Sequence, residues 1–333
     1  MGKYAPAHFR SDDAPNLFTS PSWREVMTRT YGFDFHEVAG LHFALIEDAL
    51  GARMVAPAFG DYARRFVRDE PGDGPSQGQT NALEERIAAA RAAFPHASFT
   101  IKCAGDAGLP DAQQVRASFL HELDPSKGLA GAKPAFRRNV AKAKRAGLAA
   151  RLTTEGEALR RFYDLYARQR LSKFASLPQP RRFVEAIADI FFAAGDGFLV
   201  EIYHEDRSLA FALALRHEGV LYYKFGASDP ESLHLRPNNL AMAALIDHAV
   251  ETGMTRLDLG LTPSEGGLSS FKRAMGAREW PLGTYRWPPL DGREDIAGEK
   301  RALLSEVTAS LVANDPDPDE ASRYGEALYR YFV

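Results

Sequence analysis

An arginine followed by two asparagines stands at the start of a predicted helix and could bind an anion. Arg236 precedes Pro237, Asn238 and Asn239, and apolar residues then recur at helical spacing over 239–252. Free backbone N–H groups and the helix dipole favour anions at such a start, and a guanidinium adds to the positive charge. The segment therefore predicts a phosphate site at Arg236, Asn238 and Asn239. The alternative is that Asn238 caps the helix.

Asp258 stands between two leucines in a short segment with the alternation of a β-strand. Because Leu257 and Leu259 need burial, the carboxylate points to the opposite face of the strand. There it could accept a proton from an attacking amine as a general base. The alternative is an ion pair with Arg256 or Lys272, since buried carboxylates are commonly paired.

Tyr222 and Lys224 share one face of a predicted strand over 220–225. Their spacing predicts that they line a cleft beside the sheet and bind a substrate, although an exposed polar face would give the same pattern. The basic segment 127–151 has eight cations and no acid, and Arg138 lies within it. This segment could bind phosphates through Arg138 or could simply be a solvated face.

The composition is that of an ordinary globular protein. The 333 residues carry 41 Lys+Arg and 44 Asp+Glu, so the net charge of −3 disfavours dependence on a strongly basic global surface. The single cysteine, Cys103, cannot form an internal disulfide, and no Cys/His cluster has zinc spacing, so we expect no metal. No apolar run is long enough to span a membrane, and no signal peptide is evident. We therefore expect a cytoplasmic protein.

Hydrophobic periodicity predicts how the chain places these residues. The first half is predicted to mix helices and strands, with a hairpin over 34–47. Thr154 and Glu157 have the spacing of a capping box at the start of a long helix. The predicted order from there is two helices, a three-stranded meander, a helix, a strand, a short helix and a strand. The predicted segments are helices at 181–194, 239–252 and 266–275, and strands at 198–203, 209–216, 220–225, 255–259 and 278–286.

That order, together with specific residues, resembles the Fem-type GNAT acyltransferase superfamily, which includes the peptidoglycan interpeptide-bridge aminoacyltransferases. The resemblance covers roughly residues 130–290 and extends less specifically to the first half. The residues that carry it are Arg137-Arg138-Asn139-Val140, Tyr222-Tyr223-Lys224-Phe225-Gly226, Leu235-Arg236-Pro237-Asn238-Asn239, Leu257-Asp258-Leu259-Gly260, Phe271-Lys272 with Gly276-Ala277, and Phe59-Gly60-Asp61-Tyr62.

The resemblance implies an α/β (α+β) fold of tandem GNAT-like domains, with mixed, mostly antiparallel sheets flanked by helices. It places a divergent N-terminal domain at 1–126, a GNAT acyltransferase domain at 127–290 and a helical tail at 291–333. It also implies that Lys272 stabilises a developing oxyanion and that Phe271 binds the acyl carrier. The sequence departs from the usual glycine-rich pyrophosphate loop, because Pro237 and two asparagines stand there.

The activity implied by the resemblance is transfer of an acyl or aminoacyl group to an amine. The donor would be acyl-CoA or aminoacyl-tRNA, with tRNA then a partner, and the acceptor a small molecule or a peptide. A non-catalytic carrier-binding or scaffold protein with the same fold is the main alternative. A nucleic-acid-binding protein that uses the basic segment is a third, which the net charge disfavours.

Overall fold

A computed structural model describes residues 16–65, 77–104, 109, 111–262, 266–292 and 297–333. The helices in these ranges are α1 (Pro21–Tyr31), α2 (Gln77–Ala93), α3 (Pro134–Arg145), α4 (Gly156–Phe174), α5 (Arg181–Ile187), α6 (Pro237–Glu251), α7 (Gly267–Ala274), α8 (Ala297–Ala313) and α9 (Pro318–Leu328). The strands are β1 (Asp34–Val38), β2 (Leu41–Asp48), β3 (Gly51–Ala56), β4 (Arg64–Arg65), β5 (Ser98–Ala104), β6 (Gln113–Leu123), β7 (Ala149–Thr153), β8 (Gly197–His204), β9 (Arg207–His217), β10 (Val220–Ser228), β11 (Arg256–Thr262) and β12 (Arg278–Trp287).

The strands form one continuous, mostly antiparallel sheet in the order β1-β2-β3-β5-β12-β6-β11-β10-β9-β8-β7, with β4 beside β5. The parallel neighbours within the described residues are β3 with β5, β4 with β5, and β10 with β11. Strand β12 comes from the C-terminal half, yet it lies between β5 and β6 of the N-terminal half. The predicted fold class is confirmed, and both halves contribute to the same sheet.

Helices cover both faces of the sheet, and each helix buries an apolar stripe. On one face, α1, α4 and α5 pack over β8 to β10 in a core that includes Trp23, Phe162 and Phe183. On the other face, α3 and α6 pack over the same strands in a core that includes Phe136 and Leu245. A third core lies beneath α2 in the N-terminal half. These layers hold the central strands from both sides because each face buries large apolar side chains.

The capping box predicted at Thr154 and Glu157 is wrong. Helix α4 begins at Gly156, and Glu155, at the cap position, makes no side-chain cap hydrogen bond. The chain instead runs as strand β7 through Thr153, which pairs with Leu199 of β8. The Thr153 hydroxyl accepts a hydrogen bond from the N–H of Glu155. The threonine that bonds a backbone N–H before α4 is therefore Thr153 and not Thr154. Sheet pairing therefore outweighs the local helix signal.

Candidate functional site

A gap between two neighbouring strands creates the site. Strands β10 and β11 run parallel, but they pair only from Val220–Arg256 to Tyr222–Asp258. Just beyond that point each strand has a register irregularity against its other neighbour, between Tyr223 and Phe225 in β10 and between Asp258 and Leu261 in β11. Such bulges bend a strand and end pairing, and they are common at functional sites.

A cavity of about 830 Å³ occupies this gap. Aromatic and aliphatic side chains form much of its wall, among them Tyr223, Phe225 and Phe271. Its charged lining residues are Asp61, Lys224, Lys272, Arg170, Lys173 and Arg236. A largely apolar cavity with a few polar groups is the usual form of a small-molecule site, and here the charges are mostly positive.

Lys272 reaches this cavity from the last turn of α7. Its side chain is 3% exposed, and its Nζ donates hydrogen bonds to the carbonyl oxygens of Gly260 (2.9 Å) and Leu261 (3.2 Å) at the bulge of β11. An ammonium has three N–H groups, so one remains for a further acceptor. Burial lowers the pKa of Lys272 to about 8, and the negative charges of Asp61 and Asp258 oppose that shift.

Among the described lining residues of the cavity, Asp61 is the one carboxylate. Its Oδ1 lies 3.4 Å from the Nζ of Lys224, whose side chain is 7% exposed. Lys224 also donates to the carbonyl oxygen of Phe59 and lies 4.7 Å and 5.0 Å from the ring centroids of Phe18 and Trp23. These contacts stabilise a largely desolvated ammonium.

Asp61 belongs to the Phe59-Gly60-Asp61-Tyr62 segment of the family resemblance, but the resemblance assigns it no role. The segment was therefore recognisable, but no pattern in the sequence indicates that residue 61 lies next to residue 224. The structure brings them together through the packing of the N-terminal segment against β10.

Asp258 faces away from the leucines as predicted, but it does not line the cavity. It is 1% exposed, accepts a hydrogen bond from the hydroxyl of Tyr62 (2.8 Å) and accepts another from the N–H of Gly260 (2.7 Å). Arg256 pairs with Glu122 instead, so the ion pair predicted as the alternative for Asp258 does not form. Burial raises the pKa of Asp258 to about 7, with Glu122 and Asp61 adding to the shift.

Arg236, Asn238 and Asn239 line the cavity at the start of α6, as the sequence predicts. Arg236 is exposed, precedes the helix and adopts a left-handed conformation (φ 68°). Of the backbone N–H groups expected to be free at this helix start, those of Asn239 and Leu240 instead bond to the carbonyl of Arg236. Asn238 does not cap the helix: it lies inside the first turn, and its side chain donates to Ser228.

The C-terminal turn of α4 contributes two cations that sequence reasoning missed. Arg170 and Lys173 line the cavity, and each lies over the exposed ring of Phe174, with the cations 5.1 Å and 5.4 Å from its centroid. With Arg236, they form what we call the cationic rim. No member of this rim has an ion pair with a carboxylate in the described part of the chain. The sequence did not single out Arg170 and Lys173, because α4 carries many other charged residues.

Two predicted residues, Tyr222 and Arg138, do not line the cavity. Tyr222 shares the face of Lys224, as expected, but it is buried against Phe18 rather than lining the cleft. Tyr223, on the opposite face of β10, lines the cavity instead. Arg138 is exposed on α3 and does not reach the cavity. Phe271 lines the cavity and packs on Phe136 of α3, with ring centroids 5.9 Å apart.

Neither a cluster of metal-ligating residues nor a membrane-spanning helix occurs within the described ranges. No group of three or more His, Cys, Asp or Glu residues there could hold a metal ion. Among the helices that the structure describes, none combines the length and the apolar character needed to cross a membrane.

Residues 133–273 match the family model of the acetyltransferase (GNAT) domain. Among solved structures, FemX is 15% identical, with 83% of this chain and 93% of that chain covered at a TM-score of 0.60. Residues 133–273 are therefore similar to the GNAT domain, and the chain shares its fold with FemX. The C-terminal domain of a putative lysylphosphatidylglycerol synthetase from Agrobacterium fabrum shares this fold, at 13% identity, coverage of 84% and 91%, and a TM-score of 0.54.

The Fem-like GNAT fold also occurs in L-PGS from Bacillus licheniformis, which is 12% identical over 86% of this chain and 92% of that one, with a TM-score of 0.53. No curated protein sequence matches the chain significantly. The matched GNAT domain includes Lys224, Arg236 and Lys272, whereas Asp61 lies outside it. The cavity is thus built by the GNAT domain together with the N-terminal half.

Proposed function

We propose that this protein transfers an acyl or aminoacyl group from a phosphate-bearing carrier to an amine within the cavity between β10 and β11. The observation that carries the proposal is the buried ammonium of Lys272, which has two carbonyl partners and, within the described residues, no acceptor for its third N–H. A preorganised cationic donor in a site of low exposure stabilises an oxyanion more strongly than it would in water.

In the proposed reaction the amine nitrogen attacks the carbonyl carbon of a thioester or ester. The carbonyl oxygen takes the negative charge and accepts a hydrogen bond from Lys272. Collapse of this intermediate re-forms the carbonyl, breaks the bond to the carrier sulfur or oxygen and leaves an amide. Direct attack requires no covalent enzyme intermediate.

Asp61 is the proposed acceptor for the proton that the amine loses. It is the carboxylate of the cavity, whereas Asp258 is enclosed by Tyr62 and Gly260. The proton then passes to the departing thiolate or alkoxide, so the overall reaction is balanced. Lys224 holds Asp61 in place by their ion pair.

The cationic rim is the proposed seat for the carrier phosphates. Because the first amides of α6 are partly engaged by the Arg236 carbonyl, side chains rather than a loop of backbone N–H groups would bind the charge. Arg236, Arg170 and Lys173 offer three guanidinium or ammonium groups in the lining of the cavity. This arrangement suits the phosphates of acyl-CoA or of the end of an aminoacyl-tRNA.

Parallel donor assays test the proposal. Release of free thiol from a panel of acyl-CoA donors, and loss of label from aminoacyl-tRNA, would each be measured with a mixture of small-molecule and peptide amines. Transfer to an amine is expected with one donor class. If neither class is turned over but a carrier still binds, the protein is a non-catalytic carrier-binding module and the proposal fails.

Lys272→Ala is expected to lower kcat about 100-fold to 1,000-fold, the usual cost of losing one oxyanion donor. Donor affinity should change far less, as measured by equilibrium binding. Lys144→Ala, an exposed cation of α3 outside the cavity, is the matched control and should retain activity. Equal activity of the Lys272→Ala variant and the wild type would exclude Lys272 from the reaction.

A further inference from the structure

A buried polar network lies behind Lys272, outside the cavity. His121 of β6 is fully buried and lies directly across from Glu279 of β12, with its Nε2 2.8 Å from Glu279 Oε1. Ser269 of α7 donates to the same carboxylate oxygen at 2.6 Å, and Thr262 of β11 lies 3.1 Å from the His121 Nδ1. Four different elements therefore meet in one hydrogen-bonded cluster.

This cluster does not have the geometry of a nucleophilic triad. In such a triad the acid and the serine contact opposite nitrogens of the imidazole. Here Ser269 (3.2 Å) and Glu279 approach the same nitrogen, Nε2. Ser269 is 1% exposed and already donates its hydroxyl proton to Glu279. The cluster thus offers no free nucleophile. Its role must come from the strands and the helix that it joins.

The network holds helix α7 at both ends. Ser269 in the first turn and Arg273 in the last turn both contact Glu279, the latter at 3.3 Å. Thr262 attaches the same cluster to the end of β11, immediately after the two carbonyl groups that bind Lys272. The ammonium of Lys272 and its two acceptors are therefore on elements joined by this one network.

We infer that Thr262, His121, Glu279 and Ser269 are positioning residues that fix α7 on the sheet and so hold the Lys272 ammonium at the wall of the cavity. The inference rests on the proposed function, because it explains how the oxyanion donor is kept in place. A fixed donor is needed because small displacements at a reacting centre reduce rates strongly.

The charges around His121 are consistent with a neutral ring. Burial lowers the pKa of His121, and the nearby Lys272 lowers it further, while Glu279 opposes the shift. Neutral His121 can donate from Nε2 to Glu279 and accept from Thr262 at Nδ1, and the carbonyl oxygen of Phe119 also lies 3.2 Å from Nδ1. In that state every side chain of the cluster has a partner.

The test measures the pKa of Lys272 without any substrate. Each variant is labelled with trace acetic anhydride over a range of pH, and the extent of acetylation at Lys272 is read by peptide mass. Ser269→Ala removes one contact of α7 without changing any charge. We expect the labelling midpoint of Lys272 to rise from about 8 toward the ordinary value of a lysine, because a loosened α7 exposes the ammonium to water.

Ser270→Ala is the matched control, since Ser270 is the exposed neighbour whose hydroxyl accepts from Arg273. Its midpoint should equal that of the wild type. If Ser269→Ala does not fold, His121→Gln, which keeps an N–H donor near Glu279, takes its place. An unchanged Lys272 midpoint in the folded variant would overturn the inference, even if the variant were less stable.

Activity gives a second and separate readout. Where a donor has been identified, Ser269→Ala should lower kcat about 10-fold to 100-fold and leave KM for the donor nearly unchanged. Failure to find any donor would count against the proposed function but would not alter the labelling result. A shifted midpoint combined with full activity would show that the network positions Lys272 but that Lys272 does not act in the reaction.

Discussion

The two carboxylates near the cavity differ in what surrounds them. Asp61 faces the cavity and the ammonium of Lys224, whereas Asp258 is enclosed and accepts hydrogen bonds from Tyr62 and Gly260. A general base must reach the proton that it removes, so exposure to the cavity matters more than a raised pKa. The geometry favours Asp61 for this role.

Asp61→Asn is therefore expected to lower kcat about 100-fold or more, since the amide cannot accept the proton from the amine. Asp258→Asn keeps the shape of the buried side chain and should retain more activity. Steady-state kinetics with the identified donor compares the two variants. A larger loss in Asp258→Asn than in Asp61→Asn would contradict the assignment of the base.

The buried ammonium of Lys272 gives the protein a defined dependence of stability on pH. Between about 8 and 10.5, the unfolded chain keeps the proton of this lysine while the folded chain has released it. The free energy of unfolding therefore rises with pH across this window. Below it, the folded state bears the cost of burying a charge.

Lys272→Met removes this titration. Relative to the variant, the wild type is expected to gain stability as the pH rises from about 8 to 10.5, as measured by denaturant unfolding at each pH. Lys144→Met, at an exposed lysine, is the control for a general effect of losing a charge. A constant difference between the wild type and Lys272→Met across this range would refute the burial argument.

At this scale the sequence predicted Lys272, Phe271, Arg236 and the two asparagines at the cavity. It could not predict Asp61, because a loop residue has no periodicity that reveals its distant partner. It also misassigned Tyr222, since the side chain that covers it, Phe18, is distant in the sequence.

Bulges in two adjacent strands are the features of secondary structure that make the site. In β11, Gly260 adopts a left-handed conformation (φ 69°), and a Cβ there would lie 3.1 Å from Asp61 Oδ2. The glycine thus allows the backbone to turn its carbonyl toward Lys272 while leaving room for the carboxylate.

Gly260→Ala should destabilise the protein by about 1–2 kcal/mol, because an L side chain is disfavoured in this conformation. It should also reduce kcat by displacing Asp61. Thermal unfolding and kinetics measure the two effects. Gly253→Ala, at a left-handed position with open space around it, is the control and should reduce stability but not kcat. Equal kcat in Gly260→Ala and the wild type would argue against a close fit between residues 260 and 61.

The elements themselves were largely predictable, because β8 to β10 are apolar runs separated by short polar turns and α6 has a continuous apolar stripe. Strand β7 and the start of α4 were not, since pairing with β8 overrides the capping signal at Thr154. Register irregularities depend on contacts between strands, so a single sequence cannot locate them.

At the scale of the whole molecule, the sheet joins both halves of the chain. Strand β12 pairs with β5 on one side and β6 on the other, so the N-terminal strands are separated by a strand from the C-terminal half. A fragment of residues 1–126 would leave long unpaired edges on β5 and β6, and unpaired edges favour aggregation. The predicted boundary near residue 126 divides the sequence into two parts, but both parts contribute strands to the same sheet.

We expect the fragment 1–126 to be insoluble when expressed alone and to become soluble when expressed together with residues 127–333. Co-purification through a tag on one fragment measures this. A fragment truncated before β12, residues 127–277, is the control and should not rescue solubility. A soluble, folded 1–126 would contradict the dependence on β12.

A single residue, Gly260, joins two of the groups described above. The N–H of Gly260 is held by Asp258, and the carbonyl of Gly260 holds Lys272. A side chain without an acceptor oxygen at residue 258 would remove the hydrogen bond to the N–H of Gly260 and leave the carbonyl that binds Lys272 less firmly placed. In related sequences, we therefore expect Asp or Asn at the position of residue 258 wherever a lysine stands at that of residue 272.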